Sequence, residues 1–148
     1  VIGADMNAIA PGKRMLSSMS PTLLLKDATP VMALGTPGGS TIFTSVFQVL
    51  LNLEDYGMDA QAAVAAPRFH HQLPEQTRLR HEPGHGPTAA ERAQLEGLGY
   101  EVVENWWGTI GDVQLVRVTG DGDVQAAADP RGRGRALVFD VPEPVSQQ

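Results

Sequence analysis

The stretch from Ile42 to Leu53 constrains the fold more than any other segment, because its apolar residues recur at helical spacing. Ser40 is a suitable N-cap before this helix, and Gly57 is suited to end it. Its apolar residues are Ile42, Phe43, Val46, Phe47, Val49, Leu50, Leu51 and Leu53. A helix that is apolar on most sides is normally covered from two directions. We therefore expect a layered protein in which this helix lies between a sheet and further structure.

Shorter elements are predicted on both sides of this helix. The predicted strands cover residues 22–26, 31–34, 68–72, 100–104, 113–118 and 124–127, and two further helices cover residues 59–66 and 88–98. The first two strands form a hairpin that is expected to be largely buried, and a polar loop is expected before Thr88. This order predicts the α/β (α+β) class. One domain is expected over residues 1–148, with a loop region at 1–21 and a peripheral tail at 129–148.

Composition excludes several classes of protein. The net charge of −6 makes nucleic acid an unsuitable partner. No apolar run approaches the roughly 20 residues that a membrane helix requires. The absence of cysteine excludes disulfides, thiol catalysis and thiolate metal sites, and leaves the compartment open. The chain begins with Val1 and shows no targeting signal, so we expect it to begin within a longer protein.

A glycine segment, Gly35 to Ser40, lies where a predicted strand ends and the long helix begins. Two glycines let the backbone approach a ligand closely, and free N–H groups at a helix start favour an anion. Such groups can form an oxyanion hole for acyl transfer. Taken alone, the segment is more simply explained as a tight turn.

A serine segment, Asn7 to Thr22, contains three hydroxyls at Ser17, Ser18 and Ser20 directly before a predicted strand. Adjacent serines with exposed N–H groups can bind a carboxylate, whereas a serine nucleophile needs a neighbouring base that is not near in sequence. Taken alone, a turn stabilised by hydroxyls explains the segment more simply.

The four histidines do not predict a metal site. His81 and His85 are four residues apart, but they lie in a proline- and glycine-rich loop that is unsuited to an i,i+4 metal pair, and no carboxylate cluster completes a coordination sphere. For Arg68 we predict an ion pair with an aspartate or glutamate inside the fold rather than a catalytic role.

Four motifs occur in one order along the chain: NAIAPGKRMLSSMSPT at 7–22, GTPGGS at 35–40, AAPRFHHQ at 65–72 and ADPR at 128–131. In this order they resemble the light subunit of gamma-glutamyltransferases, and the likeness covers nearly the whole chain. The chain would be the carboxy-terminal portion of that subunit. The resemblance implies an N-terminal-nucleophile hydrolase fold, an αββα sandwich matured by self-cleavage into heavy and light subunits.

By the same resemblance, Ser17 and Ser18 would hold the α-carboxylate of a gamma-glutamyl group, and the N–H groups of Gly38 and Gly39 would form the oxyanion hole. Met15 stands where many family members carry proline. The nucleophile would be a threonine with a free α-amine, upstream of Val1, so the chain alone is expected to be inactive. No metal or organic cofactor is implied.

The resemblance also implies partners and a location. The heavy subunit of the same precursor would bind the chain, glutathione or another gamma-glutamyl compound would be the substrate, and the periplasm or cell exterior would be the compartment. Two alternatives remain open. One is a related acylase for glutaryl-cephalosporins or poly-gamma-glutamate, and the other is a degenerate homologue that acts only as a binding module.

Overall fold

The computed structural model describes residues 4–72 and 77–139. The strands are β1 Thr22–Lys26, β2 Thr29–Gly35, β3 Phe69–His71, β4 Arg78–His81, β5 Glu101–Glu104, β6 Gln114–Val118 and β7 Val124–Ala128. The helices are α1 Ile42–Glu54, α2 Ala60–Ala65 and α3 Ala89–Gly97, with single 3-10 turns at Ala4–Asn7 and Gly39–Thr41. Residues 1–3 of the predicted loop region and 140–148 of the predicted tail lie outside the described residues.

Four strands form one antiparallel sheet in the order β1-β2-β6-β7. The β1–β2 connection is a tight turn in which Asp27 and Ala28 both have positive φ, as two-residue hairpins require. The predicted first strand is confirmed, and the second begins two residues earlier than predicted. The prediction that this hairpin is largely buried is wrong, because only alternate residues face the core and Leu23 and Leu25 lie exposed on the other face.

The core lies between this sheet and the helices α1 and α2. Its buried apolar side chains are Met32, Leu34, Val46, Val49, Leu53, Ala60, Ala63, Val64, Val113, Leu115 and Ala127. The predicted long helix is confirmed, and its core-facing side is covered as expected. Phe43 and Phe47 on its other side are 54% and 58% exposed, so the described residues do not provide the expected second covering over these two side chains.

A second sheet has the order β3-β4-β5, with β3–β4 antiparallel and β4–β5 parallel. Strand β4 lies where the sequence predicted a polar loop. That prediction was wrong because Arg80 and His81 are buried although they are polar. Gln48 of α1 joins this sheet to the helix, since its side-chain amide accepts from the Phe69 N–H at 3.0 Å and donates to the Phe69 carbonyl at 2.8 Å.

Candidate active site

The antiparallel register brings the sequence motifs to one end of the four-stranded sheet. Strand β1 begins at Thr22 opposite Leu34, so the serine segment arrives where β2 leaves the sheet into the glycine segment. At the same end Gly35 pairs with Gln114, the first residue of β6, and Gln114 pairs with Ala128, the last residue of β7. The ADPR motif therefore starts one strand away from the glycine segment, on the other side of Gln114, although about 90 residues separate the two motifs in sequence.

The glycine segment is exposed at Pro37, Gly38 and Gly39. Gly38 has φ 145° and Gly39 has φ 58°, conformations that favour glycine at both positions. Within the described part of the chain, neither glycine N–H donates a hydrogen bond to a protein acceptor. Two adjacent backbone donors are therefore available to a bound anion.

The start of α1 differs from the prediction. Ser40 does not cap the helix, because a 3-10 turn intervenes and the N-cap is Thr41, whose side chain makes no cap hydrogen bond. Thr41 instead turns back to Gly38, and both its N–H, at 3.1 Å, and its hydroxyl, at 3.0 Å, donate to the Gly38 carbonyl. The glycine loop is thus fastened to the helix by a side chain that local capping rules do not single out.

Ser17 and Ser18 are both exposed. The Ser17 hydroxyl accepts the Met19 N–H at 3.2 Å, and the Ser18 carbonyl accepts the Ser20 hydroxyl at 3.3 Å. Asn7 accepts the Leu16 N–H at 2.8 Å, which fixes the backbone just before the two serines. The segment has no regular secondary structure there, and these short-range bonds define its shape.

Arg68, Glu82, Asp129 and Arg131 form an ion cluster. Arg68 pairs with Asp129 at 2.7 Å, and both side chains are almost fully buried. Arg131 bridges the two carboxylates, at 3.0 Å from Asp129 and 2.5 Å from Glu82. The predicted internal ion pair of Arg68 is confirmed. Two residues that open the predicted peripheral tail thus lie inside this cluster.

The ion cluster also holds several backbone segments together. Glu82 accepts the N–H groups of Arg68, at 3.0 Å, and of Ile110, at 2.7 Å. Arg68 donates to the carbonyls of Ile110, at 2.8 Å, and of Val64, at 2.6 Å. Because each buried charge has both an opposite charge and backbone partners, the cluster offsets much of the desolvation cost of its four ions. Its function is to join the end of α2 to the segment before β6.

The two carboxylates of the cluster are held ionised. Burial alone would raise the pKa of Glu82, but hydrogen bonds from Arg131 and from the N–H groups of Ile110 and Arg68 outweigh it and leave that pKa below its ordinary value. Burial alone would also raise the pKa of Asp129. Hydrogen bonds from Arg131, Val113 and Arg68 outweigh burial and leave that pKa below its ordinary value.

These lowered pKa values predict an acid-sensitive contribution to stability. A carboxyl whose pKa is lower in the folded protein stabilises the fold at pH values above its pKa in the unfolded chain, which is about 4. That stabilisation is lost as the pH falls through the pKa of the folded protein. We expect the stability difference between the wild type and a Glu82→Gln/Asp129→Asn variant to be largest above about pH 5 and to shrink towards pH 3. Urea denaturation across that range measures it. A difference that stays constant from pH 7 to pH 3 would contradict the assignment.

Residues 2–139 match the model of the gamma-glutamyltranspeptidase family. The chain belongs to this family. Over 139 residues it is 47% identical to the glutathione hydrolase proenzyme of Pseudomonas aeruginosa, an alignment that covers 93% of this chain and 24% of that protein. It is 42% identical over 132 residues to the glutathione hydrolase proenzyme of Escherichia coli, covering 88% of this chain and 22% of that protein.

The solved structures agree with this membership. The gamma-glutamyltranspeptidase from Pseudomonas nitroreducens complexed with L-DON superposes with a TM-score of 0.82 at 45% identity, covering 95% of this chain and 72% of that chain. The predicted fold is confirmed, since the chain has the mixed α+β structure of an N-terminal-nucleophile hydrolase of this family. It spans about a quarter of the length of the two bacterial relatives. No helix in the described residues is long and apolar enough to cross a membrane.

Proposed function

We propose that the protein containing this chain transfers a gamma-glutamyl group from glutathione, or a related gamma-glutamyl amide, to water or to an amino acid. The observation that carries the proposal is the pair of N–H groups at Gly38 and Gly39, which have no hydrogen-bond acceptor among the described residues and lie on an exposed loop at the end of the sheet where the serine segment arrives. Membership of a family whose relatives are named glutathione hydrolase proenzymes supports this substrate class.

The reaction proceeds by acyl transfer in two steps. A threonine from the segment before Val1 attacks the amide carbonyl, and a C–O bond forms while the carbonyl oxygen becomes an oxyanion near the N–H groups of Gly38 and Gly39. Collapse breaks the C–N bond, and the amine leaves with the proton that the threonine's own α-amine removed from its hydroxyl. Water or an amino acid then cleaves the ester. The exposed hydroxyls of Ser17 and Ser18 hold the substrate's α-carboxylate.

The remaining parts of the proposal concern the complete protein. The chain is the carboxy-terminal portion of a light subunit, and a heavy subunit of the same precursor covers it. The periplasm or the cell exterior is the compartment.

The test is an assay of the full-length gene product, after self-cleavage, on a gamma-glutamyl anilide. We expect release of the aniline, and no release by the 148-residue chain alone because it supplies no threonine with a free α-amine. A glutaryl amide, which keeps the carboxylate but lacks the α-amino group, is the matched substrate. Turnover of that amide in preference to the gamma-glutamyl anilide would move the assignment to an acylase, and no turnover of either would point to a degenerate homologue.

Replacing Ser18 by Ala in that protein should raise KM for the gamma-glutamyl anilide by roughly tenfold or more, because a hydrogen bond to a charged group contributes about 1.5–3 kcal/mol. Ser17→Ala should act in the same direction. Thr29→Ala is the control, since Thr29 is exposed at the hairpin turn, at the other end of β2 from the serine segment, and its replacement is expected to change KM less than about threefold. Steady-state kinetics measures all three variants, and equal effects at Ser18 and Thr29 would contradict the assignment.

A further inference from the structure

The hydroxyl of Thr36 makes two hydrogen bonds at the base of the glycine loop. It donates to the Pro37 carbonyl at 2.7 Å and accepts the Asp112 N–H at 2.7 Å. A hydroxyl has one proton and two lone pairs, so its oxygen can accept one hydrogen bond while its proton is donated to a carbonyl. Thr36 thereby links the Pro37 peptide to a distant segment of the chain.

That segment is itself held in place. The N–H of Val113 donates to Asp129 at 2.9 Å. The N–H of Ile110 donates to Glu82, and the carbonyl of Ile110 accepts from Arg68. Gly111 packs so closely that a Cβ there would lie 3.1 Å from the Thr36 hydroxyl and 2.6 Å from the Ser45 hydroxyl. The Thr36 side chain therefore rests on backbone that the ion cluster fixes.

The consequence concerns the direction of the Gly38 N–H. In a trans peptide the C=O and N–H point in opposite directions, and no described peptide bond is cis. Holding the Pro37 carbonyl against Thr36 turns the Gly38 N–H away from Thr36. Thr41 acts in the same way on the next peptide, because it holds the Gly38 carbonyl and turns the Gly39 N–H away.

Without such bonds a glycine loop has other conformations available to it. Glycine tolerates both signs of φ, so the peptide before Gly38 can rotate at little steric cost. A rotated Pro37–Gly38 peptide presents its carbonyl oxygen where the N–H was, and an oxygen there repels a developing oxyanion. Preorganised donors are worth more to a transition state than donors that must reorient during the reaction.

We propose that Thr36 is a positioning residue for this acyl-transfer site: its hydroxyl orients the Pro37–Gly38 peptide so that the Gly38 N–H faces the oxyanion. The proposal rests on the proposed function. Thr36 touches neither substrate nor nucleophile, and it acts through the peptide that it holds. Thr41 has a lesser share of this role, because its backbone N–H holds the Gly38 carbonyl even without its hydroxyl.

The experiment uses the full-length, self-cleaved protein and a gamma-glutamyl anilide. Thr36→Val keeps the shape of the side chain and removes both hydrogen bonds, and it is expected to lower kcat by about 10- to 100-fold with KM within about threefold. Thr36→Ser keeps the hydroxyl and should restore kcat to within about threefold of the wild type. Thr119→Val is the matched control, because its hydroxyl also bonds a backbone carbonyl but in the turn at the opposite end of the sheet.

Several outcomes would overturn the proposal. One is a Thr36→Val variant with the wild-type kcat. Another is a Thr36→Ser variant whose kcat falls as far as that of Thr36→Val. If Thr36→Val does not mature, the crystal structure of its uncleaved form decides, and a Pro37–Gly38 peptide in the wild-type orientation overturns the proposal.

If the wild-type protein shows no turnover, the proposed function fails by itself. The crystal structure of Thr36→Val then decides the positioning role. A Pro37–Gly38 peptide in the same orientation as in the wild type overturns it, and a rotated or disordered peptide supports it.

Discussion

Replacing Arg68 by Met should lower the free energy of unfolding by about 3–5 kcal/mol, because removing one partner of a buried ion pair leaves an uncompensated charge. Arg68 is only 2% exposed, and its guanidinium bonds Asp129 and two backbone carbonyls. Methionine fills much of the volume but supplies none of these donors. Urea denaturation at pH 7 measures the loss.

The matched control is Arg78→Met. Arg78 also pairs with a carboxylate, Glu101, at 2.9 Å, but the two side chains are 41% and 54% exposed. An exposed pair contributes roughly 0–1 kcal/mol, so this variant should lose far less stability than Arg68→Met. Similar losses at the two positions would contradict the view that burial makes the cluster important.

A double variant tests whether the cluster acts as a unit. Asp129→Asn alone leaves Arg68 without its carboxylate, whereas Arg68→Met/Asp129→Asn removes one charge of each sign and keeps the Arg131–Glu82 pair. We expect the double variant to lose less stability than the two single losses added together, since residues in one network couple by about 0.5–3 kcal/mol. Strict additivity would show that the four charges act separately.

Local sequence rules predicted the elements whose burial follows their periodicity. The apolar spacing of α1 is present in the structure, and the helix predicted over residues 88–98 is present as α3, which begins at a capping box of Thr88 and Glu91. Strand β4 escaped prediction because its buried residues, Arg80 and His81, are polar and depend on partners elsewhere in the chain. Periodicity reports which residues are apolar, and it carries no information on a polar side chain that is buried in a network.

The candidate site was predicted less completely than the helices. The sequence singled out the glycine and serine segments, but it could not reveal that Thr36 contacts Asp112, which lies 76 residues away. It also named Ser40 as the N-cap of the long helix, whereas the 3-10 turn moves the N-cap to Thr41. Pairings across such distances follow from the sheet register, which brings Gly35, Gln114 and Ala128 side by side.

Gly38→Ala should reduce kcat for gamma-glutamyl transfer by about 10²- to 10³-fold, the range seen when one oxyanion donor is lost. At φ 145° a side chain is strained, and the new Cβ would lie 2.6 Å from the Thr41 hydroxyl. That clash displaces the bond from Thr41 to the Gly38 carbonyl and so disturbs both glycine peptides. Steady-state kinetics of the self-cleaved, full-length protein measures the loss, which should appear in kcat with little change in KM.

Gly39→Ala separates the effect of backbone strain from the effect of displacing the N–H donor, because alanine keeps the backbone N–H at either position. Gly39 has φ 58° with nothing within 4 Å of its would-be Cβ, so alanine there costs roughly 1–2 kcal/mol of strain without a clash. We expect a smaller fall in kcat than at Gly38. Gly122→Ala is the control, because Gly122 has φ 93° and equally open surroundings in the turn between β6 and β7. If Gly122→Ala impaired turnover as much as Gly38→Ala, general destabilisation would explain both losses, and the oxyanion role of the glycine loop would be abandoned.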